Sequence, residues 1–143
     1  MMTQIIAAFV GSIGFAIFFK MKGKQITLAG IGGAVTWAVY LFAAQQFDGN
    51  FIPYFIAAVF VALYAEVMAR VNRAPATIFL TATAVPLIPG GSLYYTMAGL
   101  VNGDRELFSA SGEAAMTIAL AISLGFVVVA IFARYYRMFR DRK

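Results

Sequence analysis

The chain has 143 residues and a formal net charge of +5; 62% of its residues are hydrophobic and 12% are charged, against ~25% charged in an ordinary soluble domain. So much apolar surface in so short a chain excludes a disordered protein, a DNA-binding domain and a secreted disulfide scaffold. With no Cys and no His, the chain also lacks thiolate metal sites, cysteine nucleophiles, His-based triads and most haem ligation.

The charges divide the chain into five apolar segments, at about 3–19, 26–44, 51–69, 75–101 and 114–133, followed by a basic tail, 134–143. A helix needs ~20 apolar residues to cross ~30 Å of hydrocarbon. The second, third and fifth segments fit that length. The first is short, and the fourth is long and holds a Pro/Gly cluster. None shows the alternation of a barrel strand. The expected fold is therefore an all-α integral membrane protein, a single transmembrane domain spanning 1–143, with five helices of which the fourth is broken at Pro86–Gly91.

The first segment does not read as a cleaved signal peptide, because Lys20, Lys22 and Lys24 follow its apolar stretch rather than precede it. Basic residues concentrate on the cytoplasmic side of membrane proteins. Five crossings with the N-terminus outside and the C-terminus inside put Lys20, Lys22, Lys24, Arg70, Arg73 and the whole tail (Arg134, Arg137, Arg140, Arg142, Lys143) inside. Only Arg105 falls outside, in a loop shared with Asp104, Glu106 and Glu113. The tail then reads as an anchor on anionic headgroups, with its aromatics at the interface, and not as a nucleic-acid site.

The fourth segment contains Ala84-Val-Pro-Leu-Ile-Pro-Gly-Gly-Ser-Leu-Tyr-Tyr95. Pro86 cannot donate to the carbonyl of Ala82, nor Pro89 to that of Val85, and a proline inside a helix costs about 3 kcal/mol or more. Gly90 and Gly91 add backbone freedom. The break is expected near residue 88, at mid-depth in the bilayer, where irregular backbone is tolerated only within protein or beside a water-filled cavity. The first half-helix would end in free carbonyls around Ala82 to Val85, with Thr77, Thr81 and Thr83 available to lend hydroxyls. The second would begin near Ser92 with free N–H groups on about Leu93, Tyr94 and Tyr95, an end suited to a carboxylate. Secondary transporters build midplane sites this way. The plainer alternatives are a packed, silent proline kink and a re-entrant hairpin, the latter placing the Arg-rich tail outside.

Glu66 is the only carboxylate within a segment. Ala58, Ala62, Glu66 and Arg70 are spaced by four and form one stripe, which small-xxx-small packing turns toward the bundle. Glu66 is either an i,i+4 ion-pair partner of Arg70 or a proton carrier. Gly30, Gly32, Gly33 and Ala34, and likewise Ala115, Ala119 and Ser123, read as close-packing faces. Trp37, Tyr40, Tyr54 and Tyr64 read as packing or interfacial residues. No metal-ligand cluster, nucleotide motif or cofactor site is expected. An intramembrane hydrolase would need a Ser–Lys pair or two Asp within the membrane; the lysines lie at segment ends or in the tail, and no segment contains Asp.

Ala65-Glu-Val-Met-Ala-Arg70, Pro75-Ala-Thr, Pro86-Leu-Ile-Pro-Gly-Gly91 and Tyr94 resemble the threonine/serine exporter family, and more closely the small membrane subunit of its split form. The resemblance covers nearly the whole chain. It implies a non-enzymatic secondary transporter of the bacterial cytoplasmic (inner) membrane that exports small carboxylate-bearing solutes and acts with a larger membrane subunit. Some two-subunit members are associated instead with dicarboxylates such as succinate. On this reading Pro86, Pro89, Gly90, Gly91, Ser92 and Tyr94 form the substrate site, and Glu66 with Arg70 forms a cytoplasmic-side gate or coupling pair. The remaining partners are the lipid bilayer and the solute, with a homo-oligomer left open. The rival is an accessory subunit that assembles a transporting partner and has no solute site.

Overall fold

The computed structural model describes the backbone of residues 1–140 and their side chains except those of Arg137, Phe139 and Arg140. The end of the basic tail, 141–143, lies outside the described residues. Every element among the described residues is helical: α1 (Met2–Phe18), α2 (Lys24–Gln46), α3 (Phe51–Asn72), α4 (Ala76–Ala84), a 3₁₀ turn (Val85–Leu87), α5 (Gly90–Asn102) and α6 (Arg105–Arg140).

Length and composition make α2, α3 and α6 (over Arg105–Tyr136) long and apolar enough to cross a bilayer; α4 with its 3₁₀ turn passes that test together with α5, the two halves being bent by 57°. At 17 residues, α1 is shorter. Among the described residues these are three candidate spans by length and composition, or four with the bent pair counted as one.

The helix ends are closed mainly by backbone. Arg73 and Gly103 take left-handed angles after α3 and α5. Ala74 N–H then donates to Ala69 O at 3.0 Å, and Asp104 N–H to Gly99 O at 2.9 Å, the backward bond of a Schellman end. Asp104 also caps α6, accepting the Leu107 N–H on Oδ1 at 3.0 Å. This cap is why α6 starts at Arg105, well before the expected start at 114. The stretch expected to be a loop with Arg105, Glu106 and Glu113 is helical, because the cap satisfies a donor of the first turn and Glu106 meets the positive end of the helix. At its other end the helix runs on through Arg140, so the described part of the tail continues α6.

Small residues bring the helices together. A Cβ on Gly30 would meet Ile13 and Phe9, and one on Gly32 would meet Tyr64 and Thr83, each at 2.5–3.0 Å. The Tyr64 hydroxyl donates to Leu28 O at 2.6 Å, and the Tyr40 and Tyr54 rings lie 4.5 Å apart, so α2 and α3 are antiparallel. On α3 the buried face runs through Ala57, Ala58, Val61, Ala62, Ala65 and Ala69. On α6 it runs through Ala115, Ile118, Ala121, Gly125 and Val129. Ala119 and Ser123 are exposed, which corrects the expected 115/119/123 stripe. Steps of four drift about 40° per step around a helix, whereas mixed steps of three and four stay on one face.

The direction of α6 follows from its contacts with α3. A Cβ on Gly125 would stand 2.7 Å from the Ala58 Cβ, while the Arg70 guanidinium lies over the Tyr136 ring. Residue numbers rise together along the two helices, so they are parallel. The bent α4–α5 pair therefore carries the chain from the Arg70 end of α3 back to its Phe51 end, and does not return as a hairpin to the end where it began.

Candidate functional site

The break begins where Pro86 enters the chain. The α-helix tightens into a 3₁₀ turn, in which Ile88 N–H donates to Val85 O at 3.2 Å. This supplies a donor to the carbonyl that Pro89 cannot reach, so Val85 is not among the open carbonyls, contrary to expectation. Ile88 itself is extended (φ −61, ψ 125), as the residue before a proline is driven to be. Gly90 N–H then turns back onto Ile88 O at 2.7 Å, and Leu93 N–H donates to Pro89 O at 3.0 Å.

That pattern relocates the open donors. α5 begins at Gly90, two residues before the expected start near Ser92, and Leu93, Tyr94 and Tyr95 lie within it. The N–H groups without an acceptor among the described residues belong to Gly91 and Ser92. On the other side of the break, Gly90 N–H turns to Ile88 O and leaves the Pro86 carbonyl without that donor, while Leu87 is fully buried. Thr81 and Thr83 do not serve the break: each hydroxyl donates one turn back, to Thr77 O and Phe79 O, both at 2.7 Å. A hydroxyl on a helix reaches the i−4 carbonyl most easily.

Gly90 and Gly91 also differ from expectation. Neither has a positive φ, and a Cβ on either would meet nothing within 4 Å. Within this chain, then, neither an unusual backbone conformation nor a close contact requires glycine at these two positions. Tyr94 is 69% exposed and touches the Tyr95 ring edge-on, with centroids 5.4 Å apart. It faces away from the bundle.

A cavity of about 290 Å³ opens beside the first half of the break, lined by Gln4, Ala7, Ala8 and Gly11 of α1, Trp37 of α2, and Val85 and Pro86. Of the expected substrate residues only Pro86 lines it. The buried indole Nε1–H of Trp37 has no acceptor among the described residues. Gln4 carries no sequence signal as a site residue, because its position beside Pro86 depends on how α1 packs. Trp37 reads from the sequence as a packing or interfacial residue; its ring lies tilted against that of Tyr40, with centroids 4.7 Å apart.

Glu66 and Arg70 lie elsewhere. Arg70 Nη2 is 3.6 Å from Glu66 Oε2, with the side chains 48% and 23% exposed respectively. Both line a groove of about 550 Å³ between α3 and α6. The upper part of the expected stripe, Ala58 and Ala62, is buried. The same drift of about 40° per four-residue step carries its ionic end out of the interior and onto this groove. The break and the ion pair thus occupy two separate cavities. No group of His, Cys, Asp and Glu among the described residues is placed to hold a metal ion.

The family model described as "Threonine/Serine exporter, ThrE" matches residues 4–132. The chain belongs to the threonine/serine exporter family. Neither the curated proteins nor the solved structures gave a match. Membership of the exporter family and the apolar helices together make this a membrane protein with a transport role. The match spans both halves of the broken segment and the Glu66–Arg70 pair.

Proposed function

We propose that the chain is one membrane subunit of a secondary exporter of small, carboxylate-bearing solutes of the threonine/serine type, and that the α4–α5 break lines the solute path. One observation carries this reading: the Gly91 and Ser92 N–H groups and the Pro86 carbonyl are left without a backbone partner in the middle of an apolar segment. Lipid cannot satisfy such groups, at several kcal/mol each, so they must face other protein or a wet path. Two N–H donors at the start of α5 suit a carboxylate, and the nearby carbonyl suits an ammonium. An amino acid carries both.

Gly90 and Gly91 are exposed, and α5 is buried only at Gly99. A larger membrane subunit covering this face would complete the path. In this reading the chain crosses the bacterial inner membrane five times, N-terminus outside, with α1 as a short span and α4–α5 as one broken span. The parallel run of α3 and α6 supports that count. The same uncovered face also supports a second reading, in which the break is buried against the transporting subunit and binds no solute.

The two readings separate in vesicles reconstituted with the chain and its larger partner. Export of labelled threonine should require both subunits and fall sharply when Gly91→Leu shields the open donors while assembly persists. Full transport with Gly91→Leu would leave only the assembly role. Cysteines at Gly49 and Gly103 should react with an impermeant thiol reagent from outside, and one at Gly23 should not.

A further inference from the structure

The groove between α3 and α6 has no part in the break, and its composition points to a different ligand. Its walls are Leu63 and Val67 from α3 and Val129, Phe132 and Ala133 from α6. Leu63, Val67 and Phe132 are more than half exposed, at 52%, 53% and 71%, so the groove opens sideways from the bundle. Its rim is cationic and aromatic: Arg70, Tyr135 and Tyr136, with Glu66 beside Arg70.

Arg70 is held there. Its guanidinium carbon lies 5.5 Å from the centroid of the Tyr136 ring, within reach of a cation–π attraction. At 3.6 Å the Glu66 contact is an ion pair longer than a hydrogen bond. It leaves guanidinium N–H groups free to take a second anion. Arg73 and Arg134 stand at the same end of the two helices, so the local charge is net positive despite Glu66. A long apolar trough ending in a fixed guanidinium and two interfacial tyrosines complements a lipid with an anionic headgroup. A small hydrophilic solute would leave the trough unfilled.

We propose that this groove is a binding site for an anionic phospholipid, with its phosphate against Arg70 and an acyl chain along Leu63, Val67, Val129 and Phe132. The site is independent of the solute path at the break. Arg70 recognises the headgroup, and Tyr136 positions Arg70.

The chain has a single tryptophan, Trp37, which makes a direct test practical. The full chain carrying Trp37→Phe and Phe132→Trp places a reporter in the groove. It is reconstituted in vesicles of brominated phosphatidylglycerol or brominated phosphatidylcholine, each diluted with its unbrominated counterpart and with the other lipid. Competition should show a preference for phosphatidylglycerol of about fivefold, the scale expected for one arginine at a membrane surface. Arg70→Gln should bring that preference close to parity, whereas Arg73→Gln, outside the groove, should leave most of it. Val67→Phe, which narrows the trough without touching charge, should weaken quenching by both lipids. Equal quenching by the two lipids in the parent would overturn the proposal. So would equal losses from Arg70→Gln and Arg73→Gln, which would mean diffuse surface charge and not a site.

Discussion

The two halves of the broken segment are both apolar, yet they have very different surroundings. α4 and its 3₁₀ turn lie among α1, α2 and α3, with Phe79, Ala82, Thr83 and Leu87 fully buried. α5 rests on α6 and buries only Gly99. Leu93, Tyr94, Met97, Leu100 and Val101 are each at least half exposed. The first half is an anchor that belongs to the core. The second is an arm held on one side, and its remaining faces are left for lipid or another protein. The open backbone groups sit at the joint between them, where an anchored and a less constrained half meet.

The comparison breaks most readily through stability. Phe79→Ala on α4 should cost about 3–5 kcal/mol by emptying a packed site, whereas Tyr94→Ala on α5 should stay within about 0.5 kcal/mol, as exposed substitutions do. Unfolding of the purified chain in mixed micelles measures both. Equal losses would mean that α5 is as well packed as α4 and that the contrast is mistaken.

Gly99→Leu tests the contact of the arm's buried residue with α6. A Cβ at Gly99 would stand 2.6 Å from the backbone nitrogen of Phe108, which cannot swing away as a side-chain tip would. Overpacking of this kind costs roughly 1–3 kcal/mol, and α5 should lift from α6 while α4 stays packed. Protease protection or hydrogen exchange resolved along the chain should show loss confined to residues near the two helices' junction.

The joint itself is tested by Pro86→Ala combined with Pro89→Ala. Restoring backbone donors should favour a continuous helix and cap the open Pro86 carbonyl. The stability gain should be below the ~3 kcal/mol per proline seen in an isolated helix, because straightening by 57° competes with the burial of Leu87 and the seating of α5 on α6. Transport should nevertheless be lost with abundance unchanged. Normal transport by this double variant would remove the break from the solute path.

The smallest expected effect is that of Glu66→Gln. Its ion pair with Arg70, at 3.6 Å and partly exposed on both sides, contributes at most about 1 kcal/mol, so the fold should persist. Loss of pH-driven transport with an intact fold would make Glu66 a proton carrier, although it lies in a different cavity from the break. Unchanged transport would leave it a structural ion-pair partner of Arg70.

The sequence by itself determined the helical class, the positions of the apolar segments and the location of the break. These depend on local chemistry: apolar runs bounded by charge, and two prolines that remove backbone donors wherever the chain goes. It also placed Gly30, Gly32 and Gly33 at a close approach, since only small residues allow helix backbones to meet there. It could not assign the open donors to Gly91 and Ser92, because that depended on how the turn after Pro86 closed on Val85, Ile88 and Pro89. Nor could it tell that Glu66 and Arg70 open onto a groove beside α6 instead of into the bundle. A stripe of residues spaced by four looks continuous in sequence, but it winds around the helix, and only the packing of α6 on α3 decided where its ionic end emerged. Gln4 and Trp37 reached the cavity beside Pro86 for the same reason: helices distant in the chain had to pack before their side chains shared a wall.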